Sequence, residues 1–151
     1  MGNPILTDDA AGLWVARRVH ELLGDPEADL AEAAVAGFKT VQLLAPYDRA
    51  IIIDSIHDAR GVGHVWGLRE DELGEGSSPI SHGVNLRSAL QLARRLSFPV
   101  PQEVLIYVIA VRDPYTFGER FTPEVERALP AAASSIAGEL AALSTSASPS
   151  R

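Results

Sequence analysis

The chain has 151 residues, 46% of them hydrophobic and 22% charged, the proportions of one globular domain with enough apolar surface for a real core. Its 20 Asp and Glu against 13 Lys and Arg give a formal net charge of −7 and a pI near 5.0, which argues against nucleic acid as a partner because no basic stripe exists to displace counterions. There is no cysteine, so disulfides, thiolate metal sites and cysteine nucleophiles are excluded, and any metal must be held by His, Asp or Glu. No run of about 18 apolar residues and no basic-then-apolar leader is present, so the expectation is a cytoplasmic protein with no membrane partner.

The chain opens on GNPILTDDAAG, an apolar pair running into Asp8 and Asp9. Leu13, Val15, Ala16, Val19, Leu22 and Leu23 recur at three- and four-residue spacing, which predicts an amphipathic helix from about residue 10 to Leu23, closed by Gly24. Asp9 then falls at or beside the N-cap, where orphan N–H groups and the positive end of the helix dipole favour a carboxylate. Capping explains one aspartate and leaves the other spare. A spare carboxylate oxygen suits a hard or borderline metal.

Ala50-Ile51-Ile52-Ile53 is a continuous apolar run of the kind buried on both faces of a parallel sheet, and it meets Asp54. A weaker strand is predicted over His64–Leu68, between Gly61 and Gly63 and the charged Arg69-Glu70-Asp71-Glu72. Residues 74–79 read as loop, and the acidic stretch over 69–75 reads as a solvated face. Leu86, Ala89, Leu90, Leu92, Ala93 and Leu96 mark another helix, stopped before Pro99 and Pro101. Val104–Val111 is a second buried strand. Thr122 and Pro123 form the N-cap and first turn of a last helix, with a kink expected at Pro130. Residues 144–151, rich in Ser, Ala and Pro, are expected to be a disordered tail after a single domain over 1–143. The order helix, strand, strand, helix, strand, helix predicts an α/β fold of three layers, αβα, around a mostly parallel or mixed twisted sheet.

Asp54 falls at the carboxyl end of a predicted strand, where ligands bind in open α/β sheets. His82 lies in SSPISHGVNL, ahead of the second clear helix; its imidazole is a candidate metal ligand or acid/base group, against the plainer role of a loop histidine that caps the helix or faces water. His57, three residues after Asp54 in a predicted loop, is the reserve. His20 falls on the outer face of the first helix and His64 heads a strand. Ser81 or Ser55 with His82 and Asp54 would make a conventional serine hydrolase, but no G-x-S-x-G elbow is present.

Taken together, GNPILTDDAAGLWVARRV, IIIDSI and SPISHGVNLRSALQLA resemble, in order and separation, the nickel-iron hydrogenase maturation proteases, endopeptidases that trim the hydrogenase large subunit. The likeness extends through VAGFKTVQLL, GVGHVWGLREDEL and FTPEVERALP, over nearly the whole chain. It implies that Asp9, Asp54 and His82 are the metal-contacting and catalytic residues. It also implies that nickel is supplied by the substrate and is no permanent cofactor. The partner is then a [NiFe] hydrogenase large-subunit precursor, trimmed by a monomer. In that reading, nickel polarises the scissile carbonyl or the attacking water, with Asp54 or Asp9 as a base. The alternative is a docking module that binds the precursor or its metal without cutting. Members of the family usually carry an apolar first strand before the GN motif, whereas this chain opens Met1-Gly2-Asn3. The expectation is therefore a first strand missing or truncated, with the true start upstream or a sheet short of hydrogen bonds at about 0.5–1.5 kcal/mol each. Val35-Ala36-Gly37 stands where the family commonly has a Thr-containing triplet.

Overall fold

The apolar spacing of the first segment folds as predicted. In the computed structural model, which describes residues 1–34, 37–58, 61–73 and 83–146, helix α1 spans Ala11–Leu23 and buries Ala11, Leu13, Val15 and Val19. Gly24, in the left-handed region with φ 59°, closes it by donating its N–H to the His20 carbonyl at 3.1 Å. Strand β1 spans Arg49–His57, β2 Val65–Arg69 and β3 Glu103–Val111. Helices α3, Gly83–Arg95, and α4, Pro123–Ser146, complete the expected set.

One helix was not expected. Phe38–Leu44 forms α2 after Gly37 and buries Thr40 and Val41. Seven residues are too few to show a period, and the helix is held by packing: the Phe38 ring lies 5.3 Å from that of Phe98.

The sheet order is β1-β3-β2. β1 runs parallel to β3 with Ile52 opposite Ile106 and Asp54 opposite Val108, while β2 is antiparallel to β3 with Gly67 opposite Tyr107. On one face, α1 and α4 pack Val15, Val19, Leu129 and Ile136 against Ile53 and Ile109. On the other, α2 and α3 pack Val41, Leu86 and Leu90 against Ile52, Ile56 and Ile106. The result is the expected three-layer αβα arrangement around a mixed sheet.

Several boundaries differ from expectation. β1 does not end at Asp54: Ser55, Ile56 and His57 stay paired with Ile109, Ala110 and Val111, because the long β3 keeps offering a partner after the isoleucine run is over. His57 is thus a strand residue. Helix α4 runs through Pro130 and takes in 144–146. The rest of the expected tail, like the whole of the loop expected over 74–79, lies outside the described residues. No strand precedes β1 in the described sheet, and β1 is its edge. Beside that edge, a groove of about 630 Å³ is lined by Ile51, Ile53, Leu23, Leu44 and Leu140. No helix among the described residues is long and apolar enough to cross a membrane.

Candidate active site

The two aspartates ahead of α1 have separate partners. Asp8 is fully buried. Its carboxylate accepts hydrogen bonds from the Thr122 N–H at 2.7 Å, the Thr122 hydroxyl at 2.9 Å and the Asp113 N–H at 2.8 Å. Both oxygens are engaged, so Asp8 ties the start of α1 to the segments before α4. Thr122, predicted as a helix cap, directs its hydroxyl to Asp8.

Asp9 is 7% exposed. Its Oδ2 accepts from the Asn3 N–H at 2.7 Å and its Oδ1 from the Ser55 hydroxyl at 3.1 Å. The N-cap of α1 is Ala10, with no side-chain cap hydrogen bond. Neither aspartate therefore caps the helix; each is directed toward a distant segment.

Asp54, 1% exposed, stands inside β1 and accepts from the Ser55 N–H at 3.0 Å. Side chains alternate along a strand, so Asp54 shares the α2/α3 side with Ile52 and Ile56, while Ser55 shares the α1 side with Ile53. Ser55 thereby joins the two carboxylates, its hydroxyl to Asp9 and its N–H to Asp54. Being buried and directed at Asp9, this hydroxyl is a positioning group and not a free nucleophile. Ser81, the other serine weighed for a hydrolase, lies outside the described residues.

Two glycines permit the convergence. A Cβ on Gly12 would lie 2.3 Å from the Met1 carbonyl oxygen and 3.0 Å from both the Asp54 Cα and the Ile53 carbonyl oxygen, so only glycine lets α1 lie this close to the Met1 backbone and to β1. Gly2, with φ 146°, has space for no Cβ, since one would lie 2.1 Å from the Asp9 carbonyl oxygen. The Met1 amino group donates to the Ile53 carbonyl. Burial lowers its pKa most strongly, opposed by the charges of Asp54, Asp9 and Glu32.

His82, the third predicted site residue, lies outside the described residues. The other histidines are engaged elsewhere: His20 Nε2 bonds the Ala28 carbonyl at 2.8 Å, His64 packs on Trp66 with ring centroids 4.8 Å apart, and His57 meets the Tyr115 ring edge-on at 5.6 Å. Among the described residues no three His, Asp or Glu side chains gather as a metal-binding group. Asp9 and Asp54 supply two oxygen donors. Ser55, weighed from the sequence as a nucleophile, is bonded to both carboxylates in the structure. Its place directly after Asp54 was the available signal, but its partner is 46 residues away.

The sequence profile of hydrogenase maturation proteases matches residues 14–139, a span that begins after Asp9 and includes Asp54. The chain belongs to the hydrogenase maturation protease family. Among solved structures, this family member is similar to the hydrogenase maturating endopeptidase HybD from E. coli, at 24% identity and TM-score 0.70, covering 97% of this chain and 90% of that one. It is similar also to the [NiFe] hydrogenase maturation protease HybD from Thermococcus kodakarensis, at 23% identity and TM-score 0.67, covering 92% and 93%. The [NiFe] hydrogenase maturation protease HycI from Thermococcus kodakarensis KOD1 matches at 22% identity and TM-score 0.65, covering 91% and 86%. At these identities the solved structures show a shared fold. No curated protein matches the chain. As a hydrogenase maturation protease, the chain is a peptidase, and its corner of α1 and β1 is the candidate site for peptide hydrolysis.

Proposed function

We propose that this chain is the endopeptidase that removes the C-terminal extension of a nickel-loaded [NiFe] hydrogenase large-subunit precursor, reading the substrate-bound nickel as the mark of a completed metal site. The observation that carries this reading is the convergence of Asp9 and Asp54 on Ser55. Two buried carboxylates bonded to one serine, Asp9 through its hydroxyl and Asp54 through its N–H, are oxygen donors of the kind a divalent first-row metal takes. With His82 as a nitrogen donor, the set is Asp9, Asp54 and His82, and the metal it meets belongs to the substrate. The enzyme then needs no resident cofactor.

Hydrolysis adds water across the scissile amide, giving a new carboxylate on the mature subunit and a free amine on the released peptide. Nickel near the scissile bond polarises its carbonyl or the attacking water, and Asp9 or Asp54 accepts the water's proton. The protease is metal-dependent through its substrate, and it acts as a monomer in the cytoplasm, where the precursor is made.

Intact-mass analysis of the precursor tests this. Loss of a short C-terminal peptide only when the precursor holds nickel upholds the reading. Binding of the loaded precursor without any mass change replaces it with a docking module that does not cut.

A further inference from the structure

We infer that Tyr115 and Phe117 form the platform on which an apolar, extended segment of the polypeptide substrate docks beside the bond to be cut; this rests on the peptidase reading above. Phe117 is 79% exposed and Tyr115 70% exposed, the two most exposed of the large hydrophobic side chains described. Isolated exposed apolar residues are ordinary on protein surfaces. These two differ in being held out by a backbone hydrogen-bonded to residues 5 and 7 and to Asp113.

Leu6 and Phe117 form an antiparallel bridge. The Thr7 N–H donates to the Thr116 carbonyl at 2.9 Å, and the Gly118 N–H donates to the Ile5 carbonyl at 3.0 Å. The Asp113 carboxylate accepts from the N–H groups of Tyr115 at 3.1 Å and Thr116 at 3.0 Å. Pro114, between them, is buried. Rings displayed on a fixed backbone lose little freedom when a partner covers them, and aromatic side chains are the usual anchors of protein contacts.

The platform adjoins the elements that carry the carboxylate pair. The Asp113 N–H is bonded to Asp8, the residue next to Asp9, and the Tyr115 ring lies against His57, three residues beyond Asp54 on β1. A polypeptide with its scissile bond at Asp9 and Asp54 must therefore pass this ribbon or the opposite rim. Chemistry favours an apolar occupant. The charges flanking the ribbon are answered within the chain: the Asp113 carboxylate is taken by the Tyr115 and Thr116 N–H groups, and Arg112 is hydrogen-bonded to Glu124 at 3.0 Å, so the exposed rings offer chiefly apolar surface. Ile5, 52% exposed, extends it on the paired segment.

The test compares the full-length wild type with Phe117→Ser, the double variant Tyr115→Ser/Phe117→Ser, and Leu96→Ser as a control at a distant site that is 64% exposed. Cleavage of nickel-loaded large-subunit precursor is followed by intact mass over a range of precursor concentrations, alongside direct binding of the same precursor, thermal unfolding and sedimentation. Expected are a KM raised about tenfold in the double variant, with kcat within about twofold, and an intermediate effect of Phe117→Ser. Unfolding temperature should not move and Leu96→Ser should behave as wild type. A wild-type KM in the double variant overturns the inference, as does a loss confined to kcat. A wild-type dimer that the substitutions disperse also overturns it, since the face then joins two copies. If wild type binds but does not cut, the peptidase reading fails while weaker binding by the double variant still upholds the platform; if wild type neither binds nor cuts, both fall.

Discussion

Replacing Asp8 and Asp9 by alanine in turn should separate two adjacent carboxylates by role. Asp8 is fully buried and accepts three hydrogen bonds at 2.7–2.9 Å from Thr122 and Asp113. Hydrogen bonds to a charged group contribute about 1.5–3 kcal/mol each, and a buried donor left without an acceptor costs about 1–3 kcal/mol. The three are not additive, because one cavity and one shift of the 113–122 segment relieve them together. Asp8→Ala should therefore lose about 3–5 kcal/mol, the range for breaking a buried charged network. For a domain of this size that lowers the unfolding temperature by roughly 6–20 °C. Asp9 accepts two bonds, and the Ser55 hydroxyl retains the Asp9 carbonyl at 3.4 Å as a second acceptor, so Asp9→Ala should cost about 1–2 kcal/mol. Urea denaturation followed by circular dichroism measures both. Precursor processing should behave oppositely, abolished by Asp9→Ala and retained by Asp8→Ala at temperatures where that variant is folded. Equal stability losses, or an Asp8→Ala variant within about 1 kcal/mol of wild type, would refute the division.

Ser55→Ala removes the hydroxyl that orients Asp9 while leaving the N–H bond to Asp54; it should cost about 1 kcal/mol in stability and slow processing about tenfold, with Ser55→Thr recovering part of the rate. A processing rate equal to wild type would remove Ser55 from the site. Gly12→Ala places a methyl 2.3 Å from the Met1 carbonyl oxygen and 3.0 Å from the Asp54 Cα and the Ile53 carbonyl oxygen, so the Met1 backbone must shift and α1 must ease away from β1. Expected are a loss of about 1–3 kcal/mol by thermal unfolding and impaired processing at temperatures where the variant is folded. The Asp113 pKa is held below its ordinary 3.8 by the Thr116 side chain first, then by the Thr116 and Tyr115 N–H groups. Because the folded value is the lower one, its support of the 113–116 turn is complete above pH 3.8 and is lost as pH falls through the folded value. Amide exchange at Tyr115 and Thr116, corrected for its intrinsic pH dependence, should lose protection on that acid limb, and Asp113→Asn should remove the pH dependence.

Much of the architecture was legible because it depends on local spacing. The three- and four-residue recurrence from Leu13 to Leu23, the isoleucine run at 51–53 and the continuous apolar stretch over 104–111 specify α1, β1 and β3 with little help from the rest of the chain. Helix α2 was not legible, being seven residues long and held by Val41 and Phe38 against residues distant in sequence. The end of β1 was misplaced for a related reason. Asp54 interrupts the apolar pattern but not the pairing, which β3 continues to His57.

The same division runs through the site. The chain by itself determined that two aspartates precede a helix, that a third follows a run of isoleucines, and that no thiolate can join them. It could not say which of the first two meets the third, because both suit a helix start equally well. That was decided by contacts made only on folding: Asp8 is taken by Asp113 and Thr122, 105 and 114 residues away, which leaves Asp9 to reach Ser55 and, through it, Asp54. Helix capping is a local property written into neighbouring residues, whereas the distribution of two buried carboxylates among distant donors is set by which segments the tertiary fold brings against the start of α1.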